Sequence, residues 1–351
     1  MKNLLQIYQE AFKDSFRRSI SENNRRIEFL DLAKGIFIIL VVIYHSSIPI
    51  LDSFTIHQLM PMFYVISGLL FSDYGSFFEH SRKKTNRILI PAITFYIIGY
   101  TVYSLWHHLG FSDTVITGHF YDIFFNSSQY NVALWFLFSL FFCNILFCLM
   151  SIVCKQNVIY IGIMCCFSGF IGYVLSTSGL RLFLYADSSL SAMPLFYFGW
   201  LLSKTNILYH SKKDKLYALI ALAVLAAVIY AYYKIDNSNI SFWANSFRGN
   251  PLIIYTYGCL ATLSTLLILK TINWLPIVSY IGRYSLIVLC SHILIIIVAL
   301  KLIGQENAIP YIACILVLCW LAIPIFKEYL PYISGCKDSI KKKVKISYLI
   351  K

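Results

Sequence analysis

Apolar runs long enough to cross a bilayer follow one another along nearly the whole chain, and this leaves it few folds. A hydrocarbon core about 30 Å thick takes roughly 20 apolar residues per helix. Ten candidate runs occur, approximately Leu32 to Ile50, Leu59 to Phe71, Ile88 to Trp106, Val132 to Val153, Val158 to Leu175, Leu190 to Ser203, Leu216 to Tyr233, Leu252 to Leu269, Tyr284 to Leu302 and Tyr311 to Phe326. Lipid offers backbone groups no partner, so runs of this kind close their hydrogen bonds as helices. The expectation is an all-α fold, a polytopic integral membrane helix bundle with about ten transmembrane helices. Composition agrees, since 59% of the 351 residues are apolar and 13% charged, against about 45–50% and about 25% in soluble domains. Collagenous, disordered and disulfide-scaffold classes are excluded. The second and sixth runs are short and contain Pro61 and Pro194, as expected of helices broken or buried among the others.

The formal net charge is +13, which in a soluble protein would suggest nucleic acid. Here the basic residues cluster in the short gaps between apolar runs, so the expected partner is a lipid bilayer and not nucleic acid. If the N-terminus is cytoplasmic and spans alternate, 24 Lys and Arg fall inside, four (Arg181, Lys234, Arg248, Lys301) fall outside, and Lys34 starts the first span. That asymmetry predicts cytoplasmic N- and C-termini in an inner or plasma membrane. Residues 1–28 read as a cytoplasmic amphipathic segment, because Leu4, Tyr8, Phe12, Phe16 and Ile20 recur every four residues. Residues 29–330 then form the transmembrane domain and 331–351 a basic cytoplasmic tail. The ten cysteines show no CxxC or Cys/His zinc spacing and read as small buried hydrophobes, so no metal is expected. No gap is long enough for a soluble catalytic domain, which places any chemistry inside the bundle.

Ionisable residues within a membrane are costly, about 2.5–3.5 kcal/mol for Asp or Lys near the centre, so each is a functional candidate. The first span offers Asp31, Lys34 and His45. Lys34 and His45 are 11 residues apart and differ by about 20° around a helix, while Asp31 and His45 differ by about 40°. All three share one face. The rise from Lys34 to His45 is ~16 Å, so a cation at the inner surface and an imidazole within the bundle line one groove. The bland alternative is an interfacial ion pair and a buried, hydrogen-bonded histidine.

The wider pattern favours the functional reading. The first span carries Asp31-Leu-Ala-Lys34-Gly35 and then His45. The second carries Pro61-Met-Phe63-Tyr64-Val-Ile-Ser67-Gly68. The following loop carries Lys84-Thr-Asn-Arg87 and Arg87-Ile-Leu-Ile-Pro91. With Leu134-Trp135-Phe136-Leu137, Met193-Pro194-Leu-Phe-Tyr-Phe-Gly199 and Ile281-Gly282-Arg-Tyr-Ser285 followed by His292, the chain resembles the acyltransferase 3 family of bacterial membrane proteins. It is most similar to the fucose 4-O-acetylase-like branch. It departs from the family at Lys34, where Arg is common, and from the branch at Leu59, where His is frequent; His57 lies two residues earlier.

The resemblance implies an acyl-CoA-dependent O-acetyltransferase, moving acetyl from acetyl-CoA to a hydroxyl of a cell-surface polysaccharide or glycolipid precursor in the cell envelope. Lys34, Lys84 and Arg87 would hold the phosphates of CoA. His45, with Asp31 on the same face, would act as general base. Ser67 and Gly68 would either bring backbone N–H groups to the thioester oxygen or serve helix packing, and Lys84 and Arg87 would serve either phosphate binding or topology alone. His292 would either assist proton handling or pack as a buried histidine. Trp135 would either stack on the sugar acceptor or belong to an interfacial aromatic belt. A homo-oligomer is compatible with all of this. A transporter or flippase of glycan precursors is the second reading, as ten spans with proline-containing short segments suit it too.

Overall fold

The computed structural model describes residues 3–18, 28–72, 75–108, 119–125, 130–209, 211–235, 240–247 and 249–340. Ile20 of the N-terminal pattern and residues 341–351 of the basic tail lie outside them. The chain folds into helices α1 (Leu4–Ser15), α2 (Glu28–His45), α3 (Ser53–Leu69), α4 (Phe77–Lys84) and α5 (Ile90–His108), then α6 (Trp135–Val153), α7 (Val158–Ser178), α8 (Ala186–Ser203) and α9 (Asp214–Ile235). A two-stranded antiparallel hairpin, β1 (Ile240–Ser241) and β2 (Ser246–Phe247), precedes α10 (Pro251–Ile272), α11 (Val278–Arg283), α12 (Ser285–Ile303) and α13 (Ala308–Tyr329). Local signals set several of these ends. Asp52 caps α3 and Asn157 caps α7 through side-chain oxygens, while left-handed Gly179 stops α7, matching the preference for Asx at helix starts and Gly at their ends.

Each of the ten apolar runs contains one long helix. Seven of these are long and apolar enough to cross a membrane; α2, α3 and α8 are the exceptions. Helix α2 carries Glu28, Asp31 and Lys34, α3 has only 17 residues with His57 and Gln58 among them, and α8 carries Asp187 and a series of serines. The two proline helices are continuous rather than broken, and they sit at the centre of the bundle. A proline ring removes one backbone hydrogen bond, a defect lipid would penalise but packed neighbours absorb.

The central helices meet backbone to backbone. A Cβ on Gly68 would stand 1.9 Å from the Phe196 carbonyl oxygen, and one on Gly199 equally close to that of Val65, so α3 and α8 touch without an intervening side chain. At one end α1 lies across the bundle, burying Ile7, Ala11 and Ser15. Its Tyr8 hydroxyl donates to the Leu321 carbonyl, and Trp320 Nε1 donates to Ser15 Oγ. Leu4, Phe12 and, just past the helix end, Phe16 remain exposed.

At the other end the hairpin is held by a polar network. Arg181 Nε donates to Asp187 Oδ2 at 2.5 Å and its guanidinium also donates to the Trp243 carbonyl, while Ser188 donates to the Phe242 carbonyl.

Candidate active site

One cavity opens at the end of the bundle where α1 lies. It forms because α2 and α11 cross in contact: a Cβ on Gly35 would stand 2.0 Å from the Val278 carbonyl oxygen, and one on Gly282 1.7 Å from that of Asp31. No other residue fits there, and the crossing carries Arg283 to the level of Lys34. Lys34 Nζ pairs with Asp31 Oδ1 at 2.6 Å, the carboxylate being almost fully buried. A cavity of about 640 Å³ extends from this point, lined by Lys34, Arg87, Arg283 and Lys327 together with Ser67, Met60 and Ser334.

Arg87 reaches the same cavity through an irregular turn. Helices α4 and α5 are joined by a single π-helical turn over Thr85–Leu89, with Arg87 at its middle. Pro91 lies four residues after Arg87; its missing N–H and its ring exclude an ordinary turn onto the Arg87 carbonyl, and a wider turn avoids the clash. Opposite, Lys327 Nζ lies 3.4 Å from Asp14 Oδ2 and 5.2 Å over the Tyr284 ring, and Arg283 donates to the Arg17 carbonyl. Four cations thus meet two carboxylates. Among the described residues neither Arg87 nor Arg283 has an acidic partner.

The segment after α13 closes this cavity from below. Ser334, Gly335 and Cys336 line it. The strap is latched at its far end by Asn86, whose Oδ1 accepts from Ile340 N at 2.7 Å and whose Nδ2 donates to the Ile340 carbonyl at 3.0 Å. Arg82 donates to the same carbonyl.

The second cavity, of about 330 Å³, lies beyond the first along α2. Tyr44, His45, His57, Met60, Trp135 and Trp243 are among its walls. His45 ends α2, partly exposed to this space, and its ring centroid lies 5.2 Å from that of His292 on α12. His292 is fully buried. Its Nδ1 is 3.0 Å from the Val288 carbonyl, an acceptor only, so Nδ1 carries the proton and Nε2 offers its lone pair. That Nε2 has no hydrogen-bond partner among the described residues. Trp135 is 6% exposed, packed against Tyr185 with ring centroids 6.0 Å apart. Leu184 and Tyr185 both adopt left-handed backbone, φ 48° and 59°, a strained conformation for such residues that fixes the Tyr185 ring behind the indole.

The structure therefore brings Lys34, Arg87 and Ser67 to the wall of the first cavity and His45 and Trp135 to that of the second; Asp31 and His292 line neither, Asp31 pairing with Lys34 and His292 lying against His45. Lys84 and Gly68 line neither: Lys84 closes α4 one turn before Arg87, and Gly68 meets the Phe196 carbonyl. Sequence reasoning missed Arg283 and Lys327 as cavity cations, Trp243 as an aromatic wall, and the strap. Arg283 had a signal, since it follows Gly282 in a segment already singled out; Lys327 had none beyond its place at the end of an apolar run. Among the described residues no three His, Cys, Asp or Glu gather as a metal ion would need.

In comparison with known proteins, a family model described as an acyltransferase domain, that of acyltransferase 3, matches residues 27–327. The match is to the family as a whole and not to its fucose 4-O-acetylase-like branch. No curated protein and no solved structure matches the chain.

Proposed function

The chain belongs to the acyltransferase 3 family, and from that premise we propose that it is an acyl-CoA-dependent O-acetyltransferase of the inner or plasma membrane, taking acetyl from cytoplasmic acetyl-CoA and transferring it to a hydroxyl of a cell-surface polysaccharide or glycolipid precursor. The observation that carries this reading is the stacking of a cation-ringed cavity beneath a cavity walled by His45, whose ring in turn lies against the buried His292. Lys34, Arg87, Arg283 and Lys327 suit the phosphates of CoA, with Arg87 and Arg283 able to meet phosphate oxygens through two N–H groups each. Asp31 holds Lys34 in place by their ion pair. The thin pantetheine arm then extends along α2 toward His45, ~16 Å beyond Lys34.

His45 acts as the general base. With Nδ1–H committed to Val288, the His292 Nε2 lone pair is the natural acceptor for an N–H of His45, which leaves the other His45 nitrogen free to face the acceptor. That nitrogen takes the proton of the acceptor hydroxyl as its oxygen attacks the thioester carbonyl. The carbon–sulfur bond breaks, and the proton passes from His45 to the departing CoA sulfur, giving an ester and free CoA. Such proton transfer typically contributes 10²–10⁴-fold. Ser67 faces the donor side, and the Trp135 indole offers a flat face to a sugar ring. Exclusion of bulk water strengthens each contact and protects the thioester.

The test is compositional. Acyl groups on surface glycans are compared by mass spectrometry between cells expressing the wild-type protein and cells expressing His45→Ala at equal membrane levels. Loss of acetyl groups in the variant is expected; wild-type acetylation would remove His45 from the mechanism. Reconstituted vesicles separate this activity from transport of a glycan precursor, since only the former consumes acetyl-CoA.

A further inference from the structure

The two cavities share three helices and divide them at one level. On α2, Lys34 and Ile38 line the cationic cavity, and Val41 and His45 line the imidazole cavity. Helix α3 runs the opposite way, with His57 and Leu59 at the imidazole cavity and Phe63 and Ser67 at the cationic one. On α6, Trp135 belongs to the former and Phe136 to the latter. Met60 alone, among the described residues, lines both, and it is half-buried between them.

We infer that Met60 is the gate between the donor and acceptor chambers and a determinant of which acyl groups cross. The inference rests on the acyltransferase reading above. A thioester anchored by its phosphates in one chamber and a hydroxyl deprotonated in the other react only when the acyl carbon passes the level of Met60. The side chain suits a door. It is unbranched, with three rotatable bonds, and moves aside without displacing backbone, unlike the aromatic Phe63 and Phe136 beside it. Closed, it keeps water of the acceptor chamber from the thioester. Water attack on that carbonyl would break the carbon–sulfur bond and yield acetate and free CoA with no product. A small acyl group slips past a displaced methionine, whereas each added methylene meets the wall.

The test uses full-length protein. Binding of CoA itself is measured on purified wild type, Met60→Trp and Met60→Ala. Release of free CoA thiol from acetyl-CoA and from butyryl-CoA is measured in membranes that carry the cell's own acceptor. Met60→Trp is expected to keep CoA bound through its phosphates, weakened by no more than about a few-fold, while releasing thiol from acetyl-CoA about a hundredfold more slowly. Met60→Ala is expected to raise the rate with butyryl-CoA relative to acetyl-CoA by about tenfold, within the range that pocket size yields for small apolar differences, and to increase acetyl-CoA hydrolysis in purified protein without acceptor. Wild-type rates and an unchanged acyl preference in both variants would overturn the gate while leaving the acyltransferase standing. Wild-type membranes that release no thiol from acetyl-CoA would overturn the acyltransferase reading, and the gate with it.

Discussion

The two cavities solve different recognition problems. The cationic one is the larger, about 640 against about 330 Å³, and its four charges come from four separate segments: α2, the π turn, α11 and α13. Charge acts over distance and without strict geometry, so these cations share a task and each is partly replaceable. At the imidazole cavity His45 stands against the buried His292, with ring centroids 5.2 Å apart. Proton transfer needs a correctly placed lone pair, so here one residue carries the function. One end of the molecule should therefore tolerate single substitutions that the other does not.

The largest expected effect is at the intolerant end. His45→Ala should lower product formation on the order of 10²–10⁴-fold with CoA binding unchanged; a rate within threefold of wild type at equal membrane levels would erase the contrast. Next comes Gly282→Ala, which forces a methyl group into the Asp31 carbonyl. Overpacking of this sort costs about 1–3 kcal/mol or more, so a lower unfolding temperature together with a weakened donor KM is expected, as Arg283 and Lys34 are driven apart. An unchanged unfolding temperature would mean that the crossing is not rigid.

His292→Ala should reduce kcat by about one to two powers of ten, the range seen when a group that orients a ligand histidine is lost, and leave donor KM alone. A change in KM instead would move His292 into substrate binding. At the tolerant end, Arg283→Ala and Lys327→Ala should each raise donor KM by about tenfold, in line with one charge-assisted hydrogen bond, with kcat largely kept. Their effects should shrink as ionic strength rises, and loss of kcat in either would refute the division of labour. The smallest effect belongs to Asn86→Ala, which releases the Ile340 latch. A rise of a few-fold in donor KM, of the order of one or two ordinary hydrogen bonds, is expected from kinetics in membranes; an unaltered KM would show that the strap does not shape the cavity.

Much of this contrast was written along single helices. Asp31, Lys34 and His45 fall on one side of α2 because helical rotation is fixed along a continuous helix, though Lys34 and His45 line separate cavities and Asp31 lines neither. Pro91 marks the irregular turn at Arg87 only to a reader who counts back four residues from it. The N-terminal helix is instructive in another way. Its four-residue repeat of Leu4, Tyr8, Phe12 and Phe16 mixes a stripe that stays exposed with Tyr8, which turns toward α13, and the docking contacts come from Ile7, Ala11 and Ser15. Hydrophobicity alone does not distinguish an apolar face that meets protein from one that does not. Lys327 and Trp243 were illegible for a related reason: each ends or interrupts an element far from α2 in sequence, and nothing local says which cavity it joins.

What the chain determined by itself was therefore the order of its ten long helices, the three-residue face of α2 and the asymmetry of its basic residues, because hydropathy and helical rotation act within one segment. Only the tertiary structure decided that Arg283 and Lys327 join Lys34, that His292 backs His45, and that Met60 stands between two chambers. Those meetings depend on how closely backbones approach at Gly35 and Gly282 and at Gly68 and Gly199, and on where neighbouring helices leave space. Such quantities exist between segments and have no trace in either one alone.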